Sequence, residues 1–422
     1  MQVSRYDLSE VPGFVNMIHD DKDTPDILKL NKIECRTSNN ARYSVIRYEK
    51  DILVYDLIPT YGLCRSIIVN SQNKVVSFAP PKSIQSDIFI QNYGETSDGV
   101  TAEEFVEGTM INVFWDPTIG LNGGWEIATR NTPGATSRFF KSSSSKKTFR
   151  DMFLEATEQH NLNFNMLNPY YCYSFVLQHP ENRIVVPFKK PQLYLVAIYS
   201  IEYVDNHIFV NSFEPRQLVK DVFEVNNVTI QFPEKYTFTT YAQLIEKYAS
   251  MNTSYDIVGV VLHNRTTGER AKIRNPVYEQ VRLLRGNQPK LQYQYLCLRK
   301  EGKVSEFLKF YPENKKPFFG FRDQVHLFTN TLFDNYKACY IKKEKPLKDF
   351  SDQYRTHMFH IHQIYLSDLR TENLFVTSTI VQKYVNEIHP SLLMYCLNFQ
   401  MRKRNVDTIK STFDYVEPNS TI

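Results

Sequence analysis

The residue pattern changes character once along the chain, and that change constrains the fold more than any single motif. From Tyr43 to about Val281 the apolar runs are short, rich in Val, Ile, Tyr and Phe, and bounded by Gly, Pro, Asn or Asp. Runs of this kind read as strands. Ile52–Ile58, Ser66–Val69, Met110–Trp115, Trp125–Thr129, Tyr173–Leu177, Arg183–Val186, Leu193–Tyr203 and Ile257–His263 are the candidates. Several carry consecutive apolar residues, which predicts burial on both faces. Thr148–Glu158 and Tyr241–Ser250 interrupt them as helices, the first with Phe149, Met152, Phe153 and Ala156 on one face. After Pro289 glycine becomes scarce and the periodicity turns helical in Val304–Tyr311, Arg322–Tyr340, Leu347–Leu369 and Val376–Ile388. Pro312, Pro317, Pro346 and Pro390 fall near the segment ends, where helices start or stop. The expected architecture is α+β: an antiparallel-sheet domain over 1–295, its first ~45 residues a lead-in, then an all-α domain over 296–422.

A chain of 422 residues exceeds one ordinary core, in keeping with that division. Its six cysteines are scattered without a CxxC pair, so zinc spacing is absent and free thiols in a reducing compartment are expected. The segment Met1 to Phe14 carries Asp7 and Glu10 and no apolar core of a signal peptide. The most apolar stretch, Leu193–Ile201, is far too short to span a bilayer. An intracellular, cytoplasmic protein without a membrane partner is expected. The net charge of +4 is too small to identify a nucleic-acid partner by itself. Lys141-Ser-Ser-Ser-Ser-Lys146-Lys147 reads as a basic loop, either solvated or in contact with phosphate.

One set of blocks carries chemistry through its order. Leu63-Cys64-Arg65-Ser66-Ile67-Ile68-Val69 comes first, then Phe105-Val106-Glu107-Gly108-Thr109 leading into a strand. Trp125-Glu126-Ile127-Ala128-Thr129-Arg130 follows, a strand closed by a basic residue. Next are Phe175-Val176-Leu177 with Pro180-Glu181-Asn182-Arg183-Ile184-Val185-Val186, then Val258-Gly259-Val260-Val261, then Ala271-Lys272-Ile273-Arg274. In this order the blocks resemble the motifs of the covalent nucleotidyltransferases, the phage T4-type RNA ligases in particular. Pro-x-Asn-Arg-Ile-Val is the most specific match, and the resemblance covers roughly residues 50 to 285. It implies an ATP-grasp-like ligase fold, ATP and Mg²⁺ as cofactors, and RNA, tRNA included, as partner. The chain as a whole also resembles ligase-like proteins of large eukaryotic DNA viruses, which implies a host-cytoplasmic or virion location.

The family reaction starts with a lysine attacking the α-phosphorus of ATP, and lysine becomes nucleophilic only when burial and nearby cations lower its pKa. At the nucleophile position this chain has Phe105, and between Lys82 and Arg130 there is neither Lys nor Arg. No nearby register restores the amine. Val176 and Val258 stand where the third and fourth motifs carry carboxylates, and neither side chain can ligate Mg²⁺. The basic positions persist. By the resemblance, Arg65, Glu107, Gly108, Arg130, Arg183, Lys272 and Arg274 are the candidate nucleotide- or phosphate-binding residues.

The expected function is therefore an RNA-ligase-like pseudoenzyme that binds RNA or nucleotide without lysyl-AMP chemistry, with a protein partner open to the helical domain. The competing readings are an active ligase with a relocated nucleophile, Lys82 being the nearest amine, and an assembly protein binding neither ligand. His357, His360 and His362 lack the companions of a metal site and read as packed or solvated. Lys342-Lys343-Glu344-Lys345 and Arg402-Lys403-Arg404 read equally as solvated faces or RNA contacts.

Overall fold

The computed structural model describes residues 2–19, 29–38, 40–95, 99–138 and 147–404. The chain divides into two compact units, Met1–Arg285 and Gly286–Ile422. In the first unit the strands, in chain order, begin with β1 (Gln2–Asp7), β2 (Leu30–Arg36), β3 (Arg42–Tyr48), β4 (Ile67–Asn70) and β5 (Val75–Phe78). They continue with β6 (Val100–Glu104), β7 (Thr109–Asp116), β8 (Gly124–Thr129), β9 (Tyr171–Gln178) and β10 (Gln192–Val204). The last are β11 (His207–Phe213), β12 (Lys235–Tyr236), β13 (Gly259–Asn264) and β14 (Arg270–Arg274). The helices of this unit are α1 (Phe14–Ile18), α2 (Ser86–Asn92), α3 (Phe149–Gln159), α4 (Pro215–Val225), α5 (Tyr241–Tyr248) and α6 (Pro276–Arg285).

These strands form three antiparallel sheets, ordered β1-β11-β10-β9-β7-β8, β12-β6-β13-β14 and β2-β3-β4-β5. Consecutive apolar residues do mark strands covered on both faces. On β9, Tyr173, Phe175 and Leu177 pack with Phe149, Met152, Phe153 and Ala156 of α3. The alternate residues face the other way, Cys172 joining the core of the β2–β5 sheet and Val176 facing a cavity. Helix α3 begins at a capping box, with the Thr148 hydroxyl accepting from the Asp151 amide and the Asp151 carboxylate accepting from the Thr148 amide. The β12-β6-β13-β14 sheet has its own core of Ala102, Val260, Leu262, Ala271 and Ile273, covered by α2 and α5 through Phe89 and Leu244.

Two expected strands are not strands. Ile52–Ile58 is a turn followed by a short 3₁₀ helix at Tyr55–Leu57, with Ile52, Val54 and Tyr55 exposed. Asp51 and Asp56 interrupt its apolar run and offer turn chemistry instead. Arg183–Val186 is irregular because its amides bond a buried carboxylate rather than a neighbouring strand. The lead-in holds structure of its own: β1 pairs with β11, α1 follows, and β2 pairs with β3. Of the basic loop, residues 141–146 lie outside the described residues, while Lys147 forms ion pairs with Glu155 at 2.5 Å and Glu181 at 3.1 Å.

The second unit is helical throughout its described residues, with α7 (Leu291–Lys300), α8 (Val304–Phe310), α9 (Lys315–Tyr336), α10 (Asp352–Ile364), α11 (Ser378–Glu387) and α12 (Pro390–Leu397). Both α9 and α10 end in a π-helical turn, at Lys337–Ile341 and Tyr365–Leu369. Of the three histidines, His357 and His362 pack against neighbouring side chains, while His360 is exposed. His357 meets the Tyr384 hydroxyl at 2.8 Å and the Cys396 thiol at 3.1 Å, and His362 stacks on Tyr340 with centroids 3.8 Å apart. Among the described residues no group of three or more His, Cys, Asp or Glu is placed to hold a metal ion. No described helix is long and apolar enough to cross a membrane.

Candidate functional site

Strand β6 delivers Phe105 to the gap between the six-stranded sheet and its own sheet. The Phe105 amide donates to the Gly259 carbonyl at 3.2 Å, and the chain then turns through Val106-Glu107-Gly108 into β7. Gly108 has φ +149°, and a Cβ there would run into the Leu177 carbonyl and stand 2.6 Å from Val176 Cγ1. Only glycine accepts that approach. The Pro180–Asn182 block clamps the turn from outside. Gln178 Nε2 donates to the Glu107 carbonyl at 3.0 Å, and Asn182 Nδ2 donates to Thr109 Oγ1 at 2.8 Å. The Glu107 carboxylate accepts the amides of Val185 at 2.9 Å and Val186 at 3.2 Å, together with the Tyr278 hydroxyl. Burial raises Glu107 above the usual carboxylate range, and these donors only partly offset it.

Facing Phe105 is a convergence of cations. On a strand, alternate residues share a face, so β14 presents Arg270, Lys272 and Arg274 together. Lys272 Nζ lies 4.5 Å from the centre of the Phe105 ring, and the Arg274 guanidinium lies 5.5 Å from it. Arg65 enters ahead of β4, its Nη1 reaching the Pro80 carbonyl at 3.4 Å. Ser66, where the ligases carry Gly, donates to the Arg130 carbonyl at 2.7 Å and ties the first and third blocks together. Arg270 Nε donates to the Pro81 carbonyl at 3.0 Å, while its buried Nη2 has no partner. Arg274 pairs with Glu279 at 2.7 Å; among the described residues Arg65, Arg270 and Lys272 make no ion pair.

Crowding moves their proton equilibria together. Burial, reinforced by Arg270, Arg65, Arg274 and Lys82, pushes the Lys272 amine down to about 6. Burial and the charges of Arg270 and Arg130 push Arg65 down to about 10, and burial lowers Arg270. Lys82 is lowered as well, by burial and then by Arg65 and Arg270. Arg65, Arg270 and Lys272 border a cavity of about 240 Å³ whose lining also includes Phe105, Val176 and Leu195. That volume falls short of the roughly 300–1,000 Å³ of a small-molecule pocket. The rest of the lining is mixed in charge, with Glu103, Glu104 and Glu214 beside His263, Arg265 and Lys235. Burial pushes Glu103 up, but His263, 2.7 Å from its carboxylate, and then Arg265 and Lys235 outweigh it and leave Glu103 low. Burial raises Glu104.

Of the sequence candidates, Arg65, Phe105, Gly108, Val176 and Lys272 line this cavity. Arg274 lies over the ring of Phe105, and Arg130 sits behind Arg65 with its Nε 3.5 Å from the Arg65 carbonyl. Glu107 turns into the clamp, Arg183 Nε donates to the Val185 carbonyl at 2.9 Å, and Val258 is buried ahead of β13. None of these three lines the cavity. Nor does Lys82, whose amine donates to the Ser83 carbonyl at 2.9 Å. Sequence reasoning missed Arg270, although the alternation Arg270-x-Lys272-x-Arg274 was there to read. Val176 and Val258 themselves offer a metal ion no oxygen.

No family model matches the chain. It is similar to an RNA ligase of Rhodothermus phage RM378, with 24% identity over 201 residues, 42% of this chain and 44% of the relative. The chain thus matches under half the length of that curated relative. Among solved structures, a mutant Naegleria gruberi RNA ligase with ATP and Mn matches at a TM-score of 0.34 and 14% identity, over 49% of this chain and 58% of that one. An archaeal ATP-dependent RNA ligase matches at 0.36 and 10% identity, over 88% of this chain and 76% of that one. The relationship to the phage enzyme agrees with the ordered motifs and with the antiparallel sheets that carry them. The chain is thus distantly similar to a phage RNA ligase over part of its length, and its antiparallel sheets are followed by a helical C-terminal region.

Proposed function

We propose that the protein is a ligase-derived pseudoenzyme whose cleft holds phosphate groups of a nucleotide or of RNA without forming a covalent adduct. The observation that carries this is the pairing at the reaction centre. A phenyl ring, Phe105, stands where the ligases have their nucleophile, yet Lys272, Arg65 and Arg270 around it remain without carboxylate partners. A ring cannot form a phosphoramidate, and uncompensated buried cations are costly unless an anion joins them. RNA, tRNA included, is the polymer such a site would serve, and the helical unit is the surface left for a protein partner.

The test is incubation with labelled ATP or GTP and Mg²⁺ or Mn²⁺, then denaturing electrophoresis. No adduct is expected. A stoichiometric band lost in Lys272→Arg or Lys82→Arg would show a relocated nucleophile and overturn the reading. In parallel, single-stranded RNA binding should weaken roughly tenfold between 50 and 200 mM salt, as neutralising about two or three phosphates requires. Binding indifferent to salt would favour an assembly role instead.

A further inference from the structure

The cationic cage has an unusual member. Arg65 and Arg270 are guanidinium groups that keep their protons at any ordinary pH, whereas Lys272, between them, is an amine that can give its proton up. Its neighbours explain why it would. Arg270 and Arg274 flank it on β14, Arg65 and Lys82 approach from the segments around β4 and β5, and the Phe105 ring covers it at 4.5 Å. The acids of the cavity do not compensate. Glu103 is engaged by His263 at 2.7 Å, Glu104 accepts from the Glu234 amide at 3.3 Å, and Glu214 pairs with Lys235 at 3.2 Å and with Arg265; none pairs with Lys272. Tyr6 and Tyr199 also line the cavity, and burial raises both, so they stay neutral. The orphaned Nη2 of Arg270 is a buried donor awaiting an acceptor. The cavity, about 240 Å³, has room for a phosphoryl group.

We infer that this cage takes the dianionic phosphate of a phosphomonoester and that Lys272 takes up a proton as the phosphate enters. The inference rests on the phosphate-binding reading above and adds its charge state and regulation. In the empty cavity the cations repel one another, and shedding the Lys272 proton relieves that repulsion, the amine titrating near 6. A phosphate brings about two negative charges. It stabilises the protonated amine and moves its titration back toward the ordinary lysine range. Between those two limits the bound state holds more protons than the free state, so binding takes up protons and weakens as pH rises. A phosphodiester, with a single charge and a nucleoside on each side, matches neither the charge nor the enclosure.

Calorimetry on the full chain tests this with AMP and inorganic phosphate as probes, in two buffers of different ionisation enthalpy at pH 7.5. Uptake of about one proton per AMP is expected, and AMP affinity should fall roughly 30-fold from pH 7.0 to 8.5, the limit of tenfold per unit. Lys272→Arg keeps a fixed charge and should bind AMP with no proton uptake and a flat pH profile. Lys272→Met should lose most of the affinity. Further arms, a 5′-phosphorylated oligonucleotide and its 5′-hydroxyl twin, distinguish a nucleic-acid end from a free phosphate: tighter binding of the phosphorylated form assigns the monoester to RNA, and equal binding of the two overturns the monoester assignment. AMP binding without proton uptake overturns the inference and leaves the phosphate-binding reading intact. No binding of any probe at either pH overturns both.

Discussion

Replacing Glu107 separates a residue that holds the turn from one that holds the ligand. Its carboxylate accepts the Val185 and Val186 amides and the Tyr278 hydroxyl, and it does not line the cavity. In Glu107→Ala the Val185 amide, on a fully buried residue, would have no acceptor, at a cost of about 1–3 kcal/mol. The Val186 amide is partly reachable by water and would lose less, and the buried Tyr278 hydroxyl adds about 1 kcal/mol. Removing a carboxylate that burial already disfavours returns part of this. The expected net loss is about 2–3 kcal/mol. Glu107→Gln keeps one acceptor oxygen and sheds the buried charge, so a loss under about 1 kcal/mol is expected. Because Glu107 titrates above its unfolded value, its contribution to stability falls as pH rises through that window, and Gln removes this dependence. Urea unfolding of the full chain at fixed pH reads both variants. Glu107→Ala within about 0.5 kcal/mol of the parent, with AMP binding abolished, would refute the clamp assignment and place Glu107 on the ligand.

Gly108→Ala should cost at least about 1–3 kcal/mol, since φ +149° and the Leu177 carbonyl leave a Cβ no place; an unchanged urea midpoint would contradict that geometry. Arg150→Ala strands the buried carboxylate of Glu126, which it meets at 2.5 Å, and should destabilise by about 3 kcal/mol, while adding Glu126→Gln should recover part of the loss. Phe105→Ala admits water to Lys272 and should raise its titration from about 6 toward the ordinary value, flattening the pH profile of AMP binding near neutrality. An unchanged profile would mean that the arginines alone depress the amine.

The sheets were legible wherever burial on both faces left consecutive apolar residues, as in Tyr173–Leu177 and Leu193–Tyr203. They were not legible in β1 and β2, where alternation is broken by charge and the apolar positions are few. Arg183–Val186 misled for a physical reason: β-branched residues fit an extended chain, but whether its amides meet a strand or a carboxylate depends on a residue some eighty positions away, Glu107. At the site, Phe105 and Val176 could be expected on the cavity wall because motif order fixes their place. Arg270 escaped because the motif names only Lys272 and Arg274, and the strand period that adds it belongs to geometry, not to the motif. Val258 is expected at the site from its place in the motif order and is a buried residue away from the cavity lining in space, a difference that no spacing reveals.

The six-stranded sheet is sewn from both ends of its segment: its edge strand β1 is Gln2–Asp7, and the partner of that strand, β11, is His207–Phe213. During synthesis the first strand must therefore wait, unpaired, for some two hundred residues to emerge before its ladder can form. Loop closure over such a span is slow and leaves edges exposed in the meantime. Nascent chains stalled before Phe213 should engage holding chaperones, and those released after it should not.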